Sequence, residues 1–333
     1  MYDTVGTLFC PPTLFFAPSY LPGALGVPPV AGLNLSEMEA KQYSFVNTKV
    51  PRMVVHALQA LGLDEHRAAF SPCLWETPDD SQNFKSLKQV WFPGVHCNIG
   101  GGGGYEDQGV ANISLAWMIN QLRTIERGGL VDFDDNYLKW VFQRNVDHCN
   151  SYYIGTEKDQ AGHVVKDNSG FRGWALGRIE ESMTALYQII GTSDSWANSL
   201  HHQATSWFKP GDMPRTPGDY DEVDAVAEGG ESVKTGHKLR GTNERVHPSV
   251  RVRTATPYAK SMMVKGVETD GYIPKALEKW RLIGGDGRPA NDPLATSYRW
   301  QCPDASYALP EEPLSDFEKI LLDMSNRATP LRS

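Results

Sequence analysis

The sequence predicts an α/β fold built around a parallel sheet, and three observations support this fold class. Residues 84–95 contain a short apolar run that is rich in β-branched and aromatic side chains. Polar residues precede the run and glycines follow it, as is typical of a buried strand. Residues 113–125 carry apolar side chains at helical spacing. The chain of 333 residues is long enough to bury a substantial core. Strands that alternate with helices are typical of parallel sheets.

The elements before this strand are predicted from the same patterns. Residues 1–5 are mostly apolar and β-prone, and the proline-rich, aromatic segment 9–29 is expected to form a surface loop or lid. Residues 35–62 have helical patterning, and Gly62 ends the pattern. Pro51 within this range is compatible with the first turn of a helix. The apolar positions that fit one helical face are Val54, Val55, Leu58 and Leu61.

The character of the chain changes near residue 130, where we place a boundary between residues 1–130 and a mainly helical, irregular region at 131–333. Helices are predicted at 136–149, at 174–190 and at 314–324. Residues 210–238 are predicted to form a long polar excursion, 246–252 a strand and 304–313 a loop.

Composition narrows the possible partners. The chain has 40 acidic and 32 basic residues, a net charge of −8, which argues against a nucleic-acid partner and leaves neutral or lipid-like ligands open. No apolar run approaches the ~18 residues of a membrane span, and no signal peptide is visible. We therefore expect a cytoplasmic protein without a transmembrane segment. The aromatic segment 9–29 is a candidate for peripheral contact with a membrane.

Neither metal nor cofactor binding is predicted. The five cysteines contain no C-x-x-C pair, and the aspartates between 132 and 135 lack the spacing of a calcium loop. His163, His201 and His202 have no matching carboxylates or thiols nearby in sequence. The glycines from 100 to 104 resemble a phosphate cradle, but no Lys-Ser/Thr follows them.

His96 is the first candidate for chemistry. It follows the predicted strand at 84–95 and precedes five glycines, and the carboxyl ends of parallel strands carry the ligand crevice of α/β sheets. A core histidine followed by a flexible loop explains the same pattern equally well. Cys97 beside it suggests a nucleophile, yet neighbours on an extended chain point to opposite faces, so we expect this pair to be poorly placed for mutual activation.

Four ordered segments resemble a known family. These are Tyr2 to Gly6 (YDTVG), Ala60 to Arg67 (ALGLDEHR), Trp91 to His96 (WFPGVH) with its glycine tail, and Leu115 to Met118 (LAWM). They are similar to the α/β-hydrolase family that includes the catalytic domains of type VI secretion phospholipase effectors (Tle-like) and many fungal homologues. Segments 215–218 and 243–251 resemble the fungal branch.

The resemblance implies a partial α/β-hydrolase fold that hydrolyses carboxylic esters, with a lipid, phospholipid or other small ester as substrate. In that family a serine, an aspartate and a histidine form the catalytic triad. Carried onto the matching segments, Asp3 would orient the imidazole and His96 would be the general base. Asn98 stands where the family usually has an acidic residue, two positions after the histidine.

The nucleophile of such a triad is not found in the sequence. An α/β-hydrolase serine lies in a G-x-S-x-G elbow before the acid, and this motif occurs nowhere in the 333 residues. We therefore expect an N-terminally truncated hydrolase domain that lacks its first strands and is inactive as written. The alternative is a pseudoenzyme that serves as a binding or interaction module.

Overall fold

The computed structural model describes the parts of the chain that carry the sheet and the candidate site. The described residues are 50, 53–66, 72, 74–78, 83–101, 108–126, 129–152, 154–158, 164–169, 173–180, 214–219, 221–226, 232–239, 241–256, 262–264, 267–268 and 272–328. The predicted strand at 1–5, the loop at 9–29, Asp3, His163, His201 and His202 lie outside them.

Strands outnumber helices in the described residues. The strands are β1 (His56–Gly62), β2 (Ser86–Phe92), β3 (Ile154–Lys158), β4 (Val164–Ser169), β5 (Ile179–Glu180), β6 (Asp221–Val226), β7 (Ser232–Lys238), β8 (Glu244–Val246), β9 (Met262–Val264), β10 (Val267–Glu268), β11 (Arg281–Gly284), β12 (Tyr298–Gln301) and β13 (Ala308–Pro310). The helices are α1 (His96–Gly100), α2 (Gly109–Thr124), α3 (Asp135–Tyr152), α4 (Pro248–Ala255) and α5 (Asp316–Ala328), with one 3₁₀ turn at Lys275–Leu277. None of these helices is long and apolar enough to cross a bilayer.

A three-stranded parallel sheet in the order β1, β2, β8 confirms the predicted parallel α/β arrangement. In its register Gly62 lies opposite Phe92, and Val246 lies opposite Trp91. A second sheet, of β11, β12 and β13, is antiparallel. A third joins β5, β9 and β10, and β3 with β4 and β6 with β7 form hairpins.

The core lies on both faces of the parallel sheet because the side chains of β2 alternate between two apolar clusters. Trp91 packs with Leu61, Val246 and Trp300 on one face. Val90 and Phe92 pack on the other face with residues of α1 and α2, including Trp117. A strand covered on both faces is typical of parallel sheets, and it explains why the end of β2, from Val90 to Phe92, is continuously apolar.

The prediction of a helix through residues 35–62 was wrong over its last seven residues, which form β1. Six of the seven are buried, so the strand shows no alternation of apolar and polar side chains. Without alternation, apolar positions along a short buried strand also fit the spacing of a helical face. The predicted elements at 84–95, 113–125, 136–149 and 314–324 are confirmed as β2, α2, α3 and α5.

The region after residue 130 differs more from its prediction, since its described residues hold eleven strands and are not mainly helical. The predicted strand at 246–252 stops at Val246 and continues as α4, which His247 caps and Pro248 begins. The predicted helix at 174–190 was wrong at its start, where turns lead into β5, and residues 181–190 lie outside the described residues. The predicted excursion at 210–238 contains the hairpin of β6 and β7, and the predicted loop at 304–313 contains β13.

A buried histidine ties α4 to α5. The backbone N–H of Ser249 donates to His247 Nδ1 at 3.2 Å, so we assign the ring proton to Nε2, which donates to Glu318 Oε1 at 2.7 Å. Both side chains are almost completely buried. Glu318 Oε2 also accepts the N–H of Ser315 at the start of α5. The carboxylate therefore satisfies two polar groups that would otherwise be costly to bury.

Replacing Glu318 with alanine should lower the free energy of unfolding by about 1 to 3 kcal/mol, because the buried ring N–H at His247 Nε2 loses its acceptor. Urea unfolding followed by tryptophan fluorescence measures the effect. Lys319→Ala, on the exposed side of the same helix, is the matched control and should leave the midpoint nearly unchanged. Equal midpoints for E318A and K319A would contradict the proposed tie.

Candidate functional site

The loops that leave β1 and β2 are hydrogen-bonded to each other beyond the ends of the strands. Leu63 N–H donates to Phe92 O at 2.9 Å, and Asp64 N–H donates to Gly94 O at 3.1 Å. Gly94 N–H donates in return to the Asp64 carboxylate at 2.5 Å. The parallel pairing of the sheet therefore continues by two residues on each chain, and it holds Glu65 and His96 side by side.

Asp64 is the buried polar anchor of this pair of loops. Its Oδ2 accepts from the Tyr272 hydroxyl at 2.8 Å as well as from Gly94. Burial raises the pKa of Asp64, and the two donors and the charge of Arg253 offset part of the rise. Burial also raises the pKa of Tyr272, and the neighbouring Asp64 charge adds to that rise. Asp64 is thus a group that fixes the backbone, and its side chain points away from solvent.

Glu65, His96 and Cys97 form an array of contacting side chains at the carboxyl end of the sheet. Glu65 Oε2 lies 2.6 Å from His96 Nδ1, and Cys97 Sγ lies 3.1 Å from His96 Nε2. Because a carboxylate only accepts, we assign the ring proton to Nδ1, which leaves the lone pair of Nε2 directed at the thiol. The Glu65 side chain is fully buried, whereas 24% of the His96 side chain is exposed.

A sharp turn between β2 and α1 places His96 beside Glu65. Gly94 has a φ of +107°, and a Cβ at this position would lie 2.6 Å from Asn98 Cβ. Asn98 Oδ1 accepts the N–H of Val95 at 3.1 Å, and its amide donates to Arg178 O at 3.4 Å. Asn98 therefore supplies the acceptor that an acidic residue could offer here and adds a donor that a carboxylate lacks.

His247, His56 and His96 each contact a carboxylate, and their positions differ. His247 with Glu318 is completely buried, as described above. His56 Nε2 lies 2.8 Å from Glu126 Oε1 at the amino end of β1, where it joins the sheet to the end of α2. His96 with Glu65 lies at the carboxyl end of β1 and β2 and is partly exposed. Parallel sheets bind their ligands at the carboxyl ends of their strands, so His96 is the candidate for chemistry.

The sequence predictions for the site have mixed outcomes. His96 lies just past the carboxyl end of β2, after the turn at residues 93–95, and its role as general base stays a prediction. The role of Asp3 stays a prediction, because Asp3 lies outside the described residues. The expectation that Cys97 and His96 point apart was wrong, because the chain turns into α1 at His96 and is not extended there. Glu65 was not singled out, although it occurs in the quoted segment from Ala60 to Arg67.

Glu65 could have been found by the argument that found His96, since each follows the end of a buried parallel strand. That argument required β1 to be recognised as a strand.

No group of three or more potential metal ligands is present among the described residues.

The fold and the array together define an α/β domain with a histidine–carboxylate pair at the carboxyl edge of a parallel sheet. Residues 1–121 match the family model described as "T6SS, Phospholipase effector Tle1-like, catalytic domain". The match includes β1, β2, α1 and most of α2, and it confirms the resemblance over those residues. No curated protein and no solved structure matches the chain significantly. The similarity to the fungal branch stays a prediction.

Replacing Gly94 with alanine should lower the free energy of unfolding by about 1 to 3 kcal/mol through backbone strain, and the clash with Asn98 adds to this. Gly100→Ala is the matched control, since a Cβ there meets nothing within 4 Å. Urea unfolding of both variants measures the difference. A G94A protein as stable as G100A would contradict the described turn.

The pH dependence of stability should reveal the buried Asp64 carboxyl. Its folded-state pKa is raised, so its contribution to stability is complete below the unfolded-state pKa and is lost as pH rises through the folded-state pKa. Asp64→Asn removes this loss, so the stability of D64N relative to the wild type should increase with pH over that interval. Urea midpoints at a series of pH values measure it.

Asp304→Asn is the control of opposite sign. Hydrogen bonds, first from the Cys302 thiol and then from Ser306, lower the pKa of Asp304 to about 2. The wild type should therefore lose stability relative to D304N as pH falls toward that value. Parallel pH profiles for the wild type and D64N would refute the assignment for Asp64.

Proposed function

We propose that the site around His96 hydrolyses carboxylic esters, specifically the acyl esters of lipids or phospholipids, with His96 as general base. The observation that carries this proposal is the 2.6 Å contact between Glu65 Oε2 and His96 Nδ1 at the carboxyl edge of the sheet. A carboxylate at Nδ1 fixes the tautomer in which Nε2 can take a proton, and it stabilises the imidazolium that results.

The substrate class is supported by the family match and by charge. The matched family model is that of a phospholipase effector catalytic domain. The net charge of −8 disfavours polyanionic substrates and is compatible with a neutral or zwitterionic ester. We place the scissile carbonyl near His96 Nε2, the nitrogen on the side of the ring opposite Glu65.

We assign the orientation of the imidazole to Glu65. The resemblance gives this role to Asp3, and we retain Asp3 as a second acid to be tested. The expectation from sequence that the chain is inactive as written stays a prediction, because the 333 residues contain no G-x-S-x-G elbow. The proposal therefore concerns the proton-transfer half of the reaction. A general base alone, acting on water, accelerates a reaction by typically about 10² to 10⁴.

The test measures hydrolysis of p-nitrophenyl butyrate and of phosphatidylcholine vesicles by the whole 333-residue chain. His96→Ala should lower kcat/KM by about a hundredfold or more, because the base is lost. Glu65→Gln should lower it by at least about tenfold. Asp3→Asn measures the role that the resemblance gives to Asp3.

The second histidine–carboxylate pair provides matched controls. His56→Ala and Glu126→Gln remove the same chemical groups from the amino end of β1, and hydrolysis should be unchanged. Equal rates for H96A and the wild type would overturn the base assignment. Equal rates for E65Q, D3N and the wild type would overturn both carboxylate roles. Vesicle binding without any hydrolysis would instead support the interaction-module alternative.

A further inference from the structure

The thiol of Cys97 lies at the ring nitrogen of His96 that faces away from Glu65. Its Sγ is 3.1 Å from Nε2, and Glu65 Oε2 is 2.6 Å from Nδ1. We propose that Cys97, His96 and Glu65 form a nucleophilic triad in which the Cys97 thiolate accepts the acyl group of an ester. This inference rests on the proposed role of His96 as a base and adds the nucleophile.

The order of the three groups is the one that nucleophilic catalysis requires. The nucleophile contacts Nε2 and the carboxylate contacts Nδ1, so a proton can move from sulfur to the ring while the carboxylate stabilises the imidazolium. The local structure explains how sequence neighbours reach this geometry. Because α1 begins at His96, the Cys97 side chain follows a helical path and does not lie on the opposite face of a strand.

The carboxylate of the array is buried, whereas the imidazole and the thiol are partly accessible to solvent, as a reaction site requires. The Glu65 side chain is fully buried and that of His96 is 24% exposed. Cys97 is half-buried, and Gly100 at the end of α1 is exposed. The other described cysteines, Cys149 and Cys302, are buried. Among these three thiols, Cys97 alone combines contact with an imidazole and access from solvent.

The proposed reaction balances without a further co-reactant. His96 Nε2 takes the Cys97 proton, and the thiolate adds to the ester carbonyl carbon. The carbon–oxygen bond then breaks, the imidazolium gives its proton to the departing alkoxide, and a thioester of Cys97 remains. Water attacks the thioester while Nε2 takes one of its protons. The carbon–sulfur bond breaks, the imidazolium returns its proton to the Cys97 sulfur, and the carboxylic acid leaves.

A thiol is chemically suited to act as the nucleophile at this position. A thiolate forms far more readily than an alkoxide and is the stronger nucleophile at neutral pH. A histidine whose tautomer is fixed by a buried carboxylate is the partner that promotes its formation.

The first experiment measures the alkylation of each cysteine by iodoacetamide at pH 7, with peptide mapping of the intact 333-residue protein. Cys97 should react at least about tenfold faster than it does in urea-unfolded protein, because it is more thiolate in the array. His96→Ala should remove this advantage, Glu65→Gln should reduce it, and His56→Ala should leave it unchanged. Protection of Cys149 and Cys302 in every variant verifies that the protein remains folded.

The second experiment traps the acyl group by exposing the protein to p-nitrophenyl acetate and acid-quenching it within seconds. One acetyl group should be found on Cys97 and should be released by hydroxylamine. Cys97→Ala should abolish it, whereas Cys149→Ala should not. Alkylation no faster than in unfolded protein, alkylation unaffected by H96A, or absence of the acetyl group would each overturn the triad.

The outcomes separate this inference from the proposed function. Ester hydrolysis that depends on His96 but is unchanged in C97A would sustain the hydrolase and refute Cys97 as its nucleophile. Acetylation of Cys97 without turnover of butyrate or phosphatidylcholine esters would sustain the nucleophile and refute the hydrolase.

Discussion

The site depends on the bonds that join the two loops after β1 and β2. The backbone bonds of Leu63 and Asp64 extend the parallel pairing past the sheet, and the Asp64 carboxylate closes it by accepting from Gly94. Burying a carboxylate is costly, and it is tolerated here because the Tyr272 hydroxyl and the Gly94 N–H are both directed at it. With the two loops fixed in this way, the next residue of one loop, Glu65, meets the histidine of the other.

Close backbone approach makes this arrangement possible. A Cβ on Gly62 would lie 2.5 Å from Gly94 O, so the end of β1 and the turn after β2 can be this near only with glycine at that position. The Ser114 hydroxyl on α2 donates to Ile99 O at 2.7 Å and secures the other end of α1. The helix that carries His96 and Cys97 is thus held by contacts that do not involve the side chains of Glu65, His96 or Cys97.

Sequence reasoning located half of the site because it recognised one of the two strands. The run at 84–95 was bounded clearly enough to predict β2 and to place His96 at its end. The buried strand β1 matched helical spacing over its few apolar residues, and Glu65 at its end was therefore overlooked. The Cys97 contact depends on whether the chain turns immediately at His96. That turn follows from the positive φ of Gly94 and the bond between Asn98 and Val95, which the apolar pattern does not encode.

The region after residue 130 takes part in the same structural unit as the site. Its strand β8 is the third strand of the parallel sheet. The backbone N–H of His247, the next residue, donates to Trp91 O at 2.8 Å. The His247 ring stacks on Phe92 with centroids 4.5 Å apart, directly before the turn to His96. The family match ends at residue 121, yet β2 is paired on one side by residues 244–246. The C-terminal region therefore stabilises the strand that positions His96, whatever further contacts it makes.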